Sequence, residues 1–522
     1  MIIKKLKLKI WIASILFGII IIYMIVSRVI ILRDIILLYL VILIPTLIIL
    51  SIEFLFRKGI PFLEFLKSKI FGHLLTMIFC LGFVIYTISD QPILKKNAIN
   101  DLDFMIESLE NIHPNIYQEI SKDSFQVQYE SIKEDLPLMI SNVHFYATCA
   151  RLTSFFRTAH TKPMANIIEN GMQKFFRNNF PYEIKIIENR IFIIDNCTLF
   201  DKIPKGSEII EINNKNVIQV INEWSQFASY ESEAYRNFLI TNRAHIGIWN
   251  NFRRFKIRYK EFSTGKLKVK RVNGGLVSNF VMGYKKSTER KPTLLYKEIS
   301  PDIGYIGFFS FHDLETYKDF FNSTFTELQN NEIKNLIIDI RGNQGGHTII
   351  GRELMQYIFH QPFAEVDSSI RKVSNELIAT GKVDRILGAD KKVPGKKYSQ
   401  TFKLIQLNEN PVRFDGKTYL LIDNATFSAG QGFASSYKCY GEGTIVGEET
   451  GGVTVNFADV HSFNLPNTGL EIWTSWQKAY FPCGVDNNRG VQPDYFVSNT
   501  IEDYIEKNDR ILNFTIDLIN NE

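Results

Sequence analysis

The sequence is poor in the residues that build small folds held together by disulfides or metal ions. It has five cysteines in 522 residues and no CxxC pair, so neither a disulfide scaffold, a zinc ribbon nor a thioredoxin motif is supported. Four of the cysteines, Cys149, Cys197, Cys439 and Cys483, could pair in an oxidising compartment, but their spacing assigns no partners. We expect no metal ion and no cofactor.

The chain also lacks a large excess of positive or negative residues, since its formal net charge is only +5. Much of this excess lies in basic segments within the first 90 residues, where lysines and arginines flank long apolar runs. The net charge is therefore weak evidence for a nucleic-acid partner, and we expect none.

Long hydrophobic runs are confined to the first 90 residues, where they occupy residues 10–26, 30–51 and 71–89. About 20 apolar residues span a bilayer core as a helix, so three transmembrane helices are predicted. No small-residue cleavage site follows the first run, which disfavours a signal peptide. Lysines before the first run and basic residues between the second and third place those segments in the cytoplasm. We therefore expect a multi-pass protein of the cell membrane, with everything after Ser89 on the extracytoplasmic side.

The remaining chain divides into four parts by its pattern. Residues 97–178 are predicted to be mostly helical, because apolar residues recur every three or four positions. Residues 181–273 alternate like strands and indicate a small mixed domain with an exposed edge strand, which either binds extended peptides or is purely structural. Residues 293–500 alternate strands with helices, which predicts a layered α/β core with parallel strands. A C-terminal helix is predicted within residues 501–522.

The stretch around Ser428 is the strongest local candidate for chemistry. An apolar strand at 419–422, a turn and a small-residue helix at 428–437 place Ser428 on the first turn of a helix. Free backbone N–H groups there favour negative charge, and the small residues Ala429 and Gly430 let a substrate backbone come close. The plainer alternative is that Ser428 is only an N-cap.

A glycine-rich turn, DIRGNQGG at 339–346, follows another apolar strand. Turns of this kind expose backbone N–H groups, which suit either a phosphate or an oxyanion. The spacing fits neither GxxxxGK[ST] nor GxGxxG, which disfavours the phosphate. A tight turn without function is the remaining alternative.

His160 is the candidate base. It is predicted at the end of an apolar helix, where a histidine is usually a cap or a surface residue. A serine hydroxyl, however, needs an adjacent base to become a nucleophile, and the chain has only nine histidines. His113, in the turn HPN, is interpreted as structural.

Several segments in order resemble one family of serine peptidases. They are AHT at 159–161, IPKGSEIIEINNKNV from 203, YIGFFSF at 305–311, LIIDIRGNQGG at 336–346, FSAGQGF at 427–433, IVGEETGG at 445–452 and GVQPD at 490–494. Together they resemble the C-terminal processing proteases and tricorn-type proteases. The resemblance implies an α/β fold: a catalytic core of the crotonase and Clp-protease type with a helical N-terminal cap and a PDZ-like insertion, here preceded by the three transmembrane helices.

The resemblance also implies roles for individual residues. Members of the processing type place a catalytic lysine where this chain has Val453, and no lysine occurs from 439 to 477, so a Ser/Lys dyad is disfavoured. Tricorn-type members use a histidine upstream of the PDZ-like module, which corresponds to His160. Ser428 would then be the nucleophile, and the backbone N–H groups of Gly345 or Gly346 together with Ala429 would hold the oxyanion.

Two departures from the family pattern concern the group that orients the histidine. The serine that precedes the histidine in tricorn-type enzymes is replaced by Ala159. The acidic residue before the GVxPD motif is offset by one position, so Asp486 is the predicted orienting acid and Asn487 its rival.

The sequence thus predicts a membrane-anchored serine peptidase that hydrolyses extracytoplasmic polypeptides, with the PDZ-like insertion capturing the substrate. The alternative is a catalytically impaired, membrane-tethered peptide-binding protein, which the two departures would explain. A membrane sensor is a third hypothesis, disfavoured because the apolar runs contain almost no polar residues. The sequence leaves an oligomer open.

Overall fold

The computed structural model describes residues 92–164, 180–198, 201–243, 254–274, 293–409 and 412–522. All of them belong to one compact unit that comprises residues 88–522. The described residues form three parts. A helical layer and an inserted β-sheet domain come first in the chain, up to residue 274, and the α/β core follows.

The first part is a helical layer. Its elements are β1 (Ile93–Leu94), α1 (Lys95–Ile112), α2 (Lys122–Asp135), β2 (Met139–Ile140), α3 (Asn142–Ser154) and β3 (Lys162–Pro163). The side chains of Ser121 and Ser141 cap α2 and α3 by accepting hydrogen bonds from backbone N–H groups of the first turn. The apolar face of α1, including Leu102 and Met105, is completely buried against the other two helices and against Ile472 of the core. The predicted helical periodicity therefore marks a buried face.

The second part is an inserted β-sheet domain. Its elements are β4 (Tyr182–Ile187), β5 (Arg190–Asn196), β6 (Glu208–Ile212), β7 (Lys215–Asn216), α4 (Val217–Ser225), α5 (Glu233–Arg243), β8 (Arg254–Lys260) and β9 (Leu267–Asn273). The strands pair antiparallel in the order β4-β5-β6-β8-β9, and β7 pairs with β6. Asn213 and Asn214 both have positive φ, 53° and 65°, which makes the tight turn between β6 and β7. Trp224 and Phe255 lie in its core.

The third part is the α/β core. Its elements up to residue 401 are β10 (Leu294–Ser300), β11 (Ile303–Phe308), α6 (Tyr317–Asn330), β12 (Asn335–Asp339), α7 (Thr348–Ile358), β13 (Ser368–Lys372), α8 (Asn375–Ala379), α9 (Lys382–Ile386), a 3₁₀ turn (Ala389–Lys391) and β14 (Lys397–Thr401). They are followed by β15 (Lys417–Ile422), α10 (Ala429–Tyr440), β16 (Thr444–Gly447), β17 (Val455–Asn464), β18 (Glu471–Tyr480), β19 (Tyr495–Phe496), α11 (Ile501–Glu506) and α12 (Arg510–Asn521).

The main sheet has the strand order β10-β11-β12-β15-β16-β19. All neighbours pair parallel except β10, which is antiparallel to β11. Residues of α6, α7 and α10 cover one face, and α12 packs on the other, so the central strands are buried on both sides. Because β12 and β15 are parallel neighbours, with Ile338 opposite Leu420, the loops that follow them meet at one edge of the sheet.

A second, antiparallel sheet has the order β14-β13-β18-β17. The short strand β3 joins it by pairing with β18, where Trp473 lies opposite Lys162. This pairing fixes the segment that follows α3, and with it His160, against the core.

The C-terminal helix is interrupted, whereas the sequence predicted one continuous helix. Lys507 has a left-handed conformation, with φ of +59°, and ends α11. The side chain of Asp509 then caps α12 by accepting a hydrogen bond from the Leu512 N–H. The same carboxylate also receives two hydrogen bonds from Arg341. The break between α11 and α12 therefore places the Asp509 carboxylate next to Arg341, which follows β12 of the main sheet.

The fold class predicted from the sequence needs a correction. The three predicted transmembrane segments, residues 10–26, 30–51 and 71–89, lie outside the described residues. Within the described ranges, none of the helices combines the length and the apolar character needed to cross a bilayer. Even α1, with 18 residues, carries acidic and basic side chains along its outer face. The structure therefore supports a mixed α/β fold and shows no membrane-spanning helix among the residues it describes.

Candidate active site

Ser428 lies between β15 and α10, at the edge of the main sheet. Its backbone has φ of +52° and ψ of −123°, a conformation that costs a non-glycine residue free energy. Strain of this kind is concentrated at functional sites, and a sharp strand-to-helix turn lifts a serine hydroxyl out of the sheet edge. The Ser428 side chain makes no capping hydrogen bond to α10. The plainer interpretation of Ser428 as an N-cap therefore has no support in the geometry.

The turn before Ser428 is held by Asp423. One carboxylate oxygen accepts hydrogen bonds from the backbone N–H of Gly342, at 2.9 Å, and of Ala425, at 3.1 Å. The Thr426 hydroxyl donates to the carbonyl of Ile340 at 3.2 Å. These bonds tie the nucleophile turn to the glycine-rich turn after β12, so the two predicted functional segments form one structure.

His160 lies 3.2 Å from this serine, measured from Nε2 to Ser428 Oγ. The sequence predicted His160 at the end of a helix, but the structure places it outside the helix. The helix α3 stops at Ser154, and His160 follows in a turn in which the Thr161 N–H donates to the Thr158 carbonyl. The imidazole stacks on Phe427 with 4.7 Å between ring centroids. His160, the candidate base, is thus positioned by the residue that immediately precedes Ser428.

The protonation state of His160 follows from its burial. The residue is only 7% exposed. Burial, and to a smaller extent the positive charge of Lys162, lowers its pKa from 6.5 to about 3, although the Phe457 backbone opposes the shift. The imidazole is therefore neutral at physiological pH and can accept a proton. Its other nitrogen, Nδ1, is buried and has no hydrogen-bond partner among the described residues.

The three predicted oxyanion donors have different surroundings. Gly345 lies against the nucleophile, since a Cβ at this position would come within 2.7 Å of the Ala429 nitrogen. Its N–H, however, donates to Oδ1 of Asn343 at 2.8 Å, so it is engaged. Ala429 is the first residue of α10, where the helix supplies no acceptor for its N–H. Gly346 adjoins Phe311, and its role, like that of Ala429, stays a prediction.

Asn343 is a residue that the sequence analysis missed. It is completely buried. Its side-chain NH₂ donates to the Phe308 carbonyl at 2.8 Å, and its backbone carbonyl accepts from the Phe427 N–H at 3.0 Å. Asn343 therefore links β11, the glycine-rich turn and the nucleophile turn. Its position inside the DIRGNQGG motif was the one available signal, but its partners Phe308 and Phe427 lie in other segments of the chain.

The predicted orienting acid, Asp486, forms an ion pair. The Asp486 carboxylate receives a hydrogen bond from the Lys478 ammonium at 2.8 Å, and its side chain is 45% exposed. The rival, Asn487, is also exposed and accepts a hydrogen bond from the Arg489 N–H. The structure therefore pairs Asp486 with Lys478 rather than with His160. Asp486, which is offset by one position from the family motif, lies on an exposed loop.

The described residues contain no group of three or more histidine, cysteine, aspartate or glutamate side chains that could hold a metal ion. Cys439, in α10, and Cys483, in the loop that carries Asp486, form a disulfide with 5.5 Å between Cα atoms. Cys149 and Cys197 are buried and free. The disulfide thus ties the helix of the nucleophile to the loop that ends in the GVQPD motif.

Comparisons with known proteins find a matching family model and similar folds. Residues 302–497 match the model of Peptidase family S41. The crystal structure of mature CPAF is similar with a TM-score of 0.57 and 15% identity, covering 82% of this chain and 98% of that one. CPAF complexed with lactacystin gives 0.57 and 16%, with 82% and 99% coverage.

The photosystem II D1 C-terminal processing protease gives a TM-score of 0.41 and 12% identity, with 77% and 93% coverage. The CPAF likeness shows the fold alone. No curated protein matches the sequence.

Proposed function

Because the chain belongs to peptidase family S41 and is a serine peptidase, we propose that it cleaves extracytoplasmic polypeptides with Ser428 as nucleophile and His160 as base. The observation that carries this proposal is the 3.2 Å approach of His160 Nε2 to Ser428 Oγ at a strained strand-to-helix turn. A neutral imidazole beside a serine hydroxyl is the arrangement that general-base activation of an alcohol requires.

The reaction proceeds in two halves. His160 Nε2 takes the proton of Ser428 as Oγ bonds to the scissile carbonyl carbon, and the carbonyl π electrons move to its oxygen. The tetrahedral intermediate re-forms the carbonyl and breaks the C–N bond, and the leaving nitrogen takes the proton from His160. A water molecule then gives its proton to His160 and attacks the ester. Ser428 leaves as the alcohol, with the proton returned from His160.

The oxyanion formed in each half needs N–H donors close to Ser428. The Ala429 N–H lies on the first turn of α10, where the helix dipole also favours negative charge. One such donor typically lowers the barrier by about 2.7 to 4 kcal/mol. We assign this role to Ala429, with Gly346 as the second donor.

The location outside the cytoplasm is supported by the Cys439–Cys483 disulfide, since such bonds persist mainly in oxidising compartments. The inserted β-sheet domain is the proposed capture site for the polypeptide. Its last strand, β9, is largely exposed and pairs only with β8 among the described strands. An extended peptide could add to this edge through main-chain hydrogen bonds.

The test uses the full-length protein, a fluorophosphonate probe and hydrolysis of an unfolded polypeptide. We expect the wild type to be labelled by the probe and to hydrolyse the polypeptide, and Ser428→Ala to do neither. His160→Ala should lose activity by roughly 10⁴- to 10⁶-fold. Ser323→Ala and His360→Ala are matched controls at exposed positions and should behave like the wild type.

Equal labelling of the wild type and Ser428→Ala would overturn the proposal. A wild type that binds the polypeptide but never cleaves it would instead favour the peptide-binding alternative.

A further inference from the structure

Glu231 is a buried acid that the reaction described above does not use. It is 7% exposed, and neither carboxyl oxygen has a hydrogen-bond partner among the described residues. Burial raises its pKa to about 8, and the nearby charge of Glu119 adds to this shift. Leaving a buried carboxyl without a partner costs free energy, and such perturbed acids are concentrated at functional sites.

The segment that carries Glu231 is packed beneath His160. Its neighbours Ala228 and Tyr230 belong to one apolar cluster with Ala159 and Phe427. Tyr230 lies under the Arg157 guanidinium, at 4.2 Å from the ring centroid.

Two further contacts complete this packing. The Ser232 hydroxyl donates to the Gly451 carbonyl at 2.7 Å. Tyr235 stacks on Phe427 at 4.2 Å, and Phe427 in turn stacks on His160. Residues on both sides of Glu231 therefore contact the residues that position the base.

The Glu231 carboxyl and the His160 imidazole meet at the backbone of two residues. The carboxyl faces the N–H groups of Phe457 and Ala159, and Ala159 directly precedes His160. The imidazole also faces the Phe457 backbone. His160 Nδ1 and both Glu231 oxygens are buried, and their approaches to these backbone groups fall short of completed hydrogen bonds. A buried acceptor and a buried imidazole nitrogen thus both lie next to the Phe457 backbone.

The reaction requires a partner for Nδ1. Because Nε2 must accept the Ser428 proton, the neutral imidazole carries its own proton on Nδ1. An acceptor at Nδ1 fixes this tautomer and stabilises the imidazolium that forms. Asp486 does not serve, since its carboxylate is bound to Lys478.

We propose that Glu231 is the positioning acid of His160, accepting a hydrogen bond from Nδ1–H when substrate is bound. This inference rests on the proposed function of Ser428 and His160. Hydrogen bonds of catalytic groups are often long in the resting enzyme and tighten in the complex, so we expect this contact to form when substrate binds. The proton stays on Nδ1 throughout, and Glu231 acts through the imidazole alone.

The proposal makes the rate depend on the charge of Glu231. The charged groups that face the pair are Glu119 and Lys478, near Glu231, and Lys162, near His160. As the pH rises through about 8, Glu231 loses its proton and its negative charge opposes the effect of Lys162. His160 becomes a stronger base. We therefore expect kcat/KM of the wild type to rise with an apparent pKa near 8.

The experiment measures kcat, KM and the pH profile of Glu231→Gln and Glu231→Asp in the full-length protein. Glu231→Gln should lower kcat by roughly 10²- to 10⁴-fold, leave KM unchanged and lose the rise near pH 8. Glu231→Asp should keep part of the wild-type kcat and part of the rise near pH 8. The matched control is Glu233→Gln, two positions further on, where the side chain is 60% exposed and paired with Arg236.

Wild-type kcat and an unchanged pH profile in Glu231→Gln would overturn the proposal. If that variant does not fold, Glu231→Asp decides, since wild-type kcat together with the wild-type pH profile in Glu231→Asp would also overturn it. Hydrolysis by Ser428→Ala at the wild-type rate would instead refute the proposed function. If only the Glu231 proposal is wrong, hydrolysis still depends on Ser428. The failure of this proposal is therefore distinguishable from the failure of the proposed function.

Discussion

Ser428 Oγ and His160 Nε2 lie 3.2 Å apart although 268 positions separate the two residues in the chain. The contact is made by two different sheets. β15 delivers Ser428 to the edge of the main sheet, and β3 fixes the segment after His160 by pairing with β18 of the second sheet. Phe427 lies between the nucleophile turn and the imidazole, so the approach depends on how the two sheets pack.

The close approach of Gly345 to the nucleophile predicts that a methyl group there is not tolerated. Gly345 has φ of +97°, and a Cβ would lie 2.7 Å from the Ala429 nitrogen and 2.9 Å from Ser428 Cβ. We expect Gly345→Ala to lower kcat by about 10²-fold or more, because small displacements of reacting groups cost that much.

The control is Gly395→Ala, which has a similar positive φ of +78° but no atom within 4 Å. It should cost only about 1 kcal/mol of backbone strain and keep full activity. Equal activity losses in the two variants would show that strain, and not the contact with Ser428, matters.

The ion pair of Asp486 predicts a small effect of its removal. Because the Asp486 side chain is 45% exposed and only its partner Lys478 is largely buried, Asp486→Asn should change the free energy of unfolding by less than about 1 kcal/mol. Its kcat/KM should stay within about twofold of the wild type, measured by peptide hydrolysis. A hundredfold loss would instead restore Asp486 as the orienting acid.

The Cys439–Cys483 disulfide closes a loop of 44 positions. Replacing both cysteines by alanine should lower the free energy of unfolding by about 3 to 4 kcal/mol, because the unfolded chain gains freedom. Chemical denaturation with and without a reductant measures this. The reductant should destabilise the wild type but not the double variant, which keeps Cys149 and Cys197. A reductant effect of the same size in both proteins would contradict the assignment.

Buried His113 predicts a pH-dependent stability. It is 1% exposed, and its ring packs on Phe457 at 4.3 Å. Burial, with smaller effects of Lys372 and Lys397, lowers its pKa from 6.5 to about 3. As the pH falls below 6.5, the unfolded chain takes up a proton that the folded chain does not, so stability is lost at about 1.4 kcal/mol per pH unit.

The variant His113→Asn isolates this contribution. Between pH 7 and pH 5 it should lose about 2 kcal/mol less stability than the wild type, measured by urea unfolding. The buried acids Glu231 and Glu448, with pKa values raised to about 8 and about 7, act in the opposite sense but equally in both proteins. The control His360→Asn, at an exposed position, should follow the wild type. A variant with the same pH dependence as the wild type would rule the contribution out.

Local patterns predicted much of the core. The strand at Asn335–Asp339, the glycine-rich turn and the strand–turn–helix around Ser428 are encoded by runs of apolar residues that end in turn-forming residues. The break at Lys507 was not predictable, because a lysine seldom adopts a left-handed conformation and only its surroundings impose it.

The candidate site was predictable only in part. Ser428 and the glycine-rich turn lie in recognisable motifs, and His160 was found by family resemblance and not by its local pattern. Asn343 was missed because its importance rests on its partners, Phe308, Gly345 and Phe427. Asp486 was chosen from a motif, and its actual partner, Lys478, lies on a strand that the motif does not include.

The sequence by itself indicated the alternation of strands and helices, the resemblance to serine peptidases and the candidate nucleophile Ser428, because these follow from short local motifs. The tertiary structure decided that His160 lies next to Ser428, that Glu231 is buried and that the Asp486 carboxylate pairs with Lys478. The reason is physical: hydrogen bonds, burial and the resulting pKa shifts depend on distances between side chains. For residues hundreds of positions apart, packing of the sheets alone sets those distances.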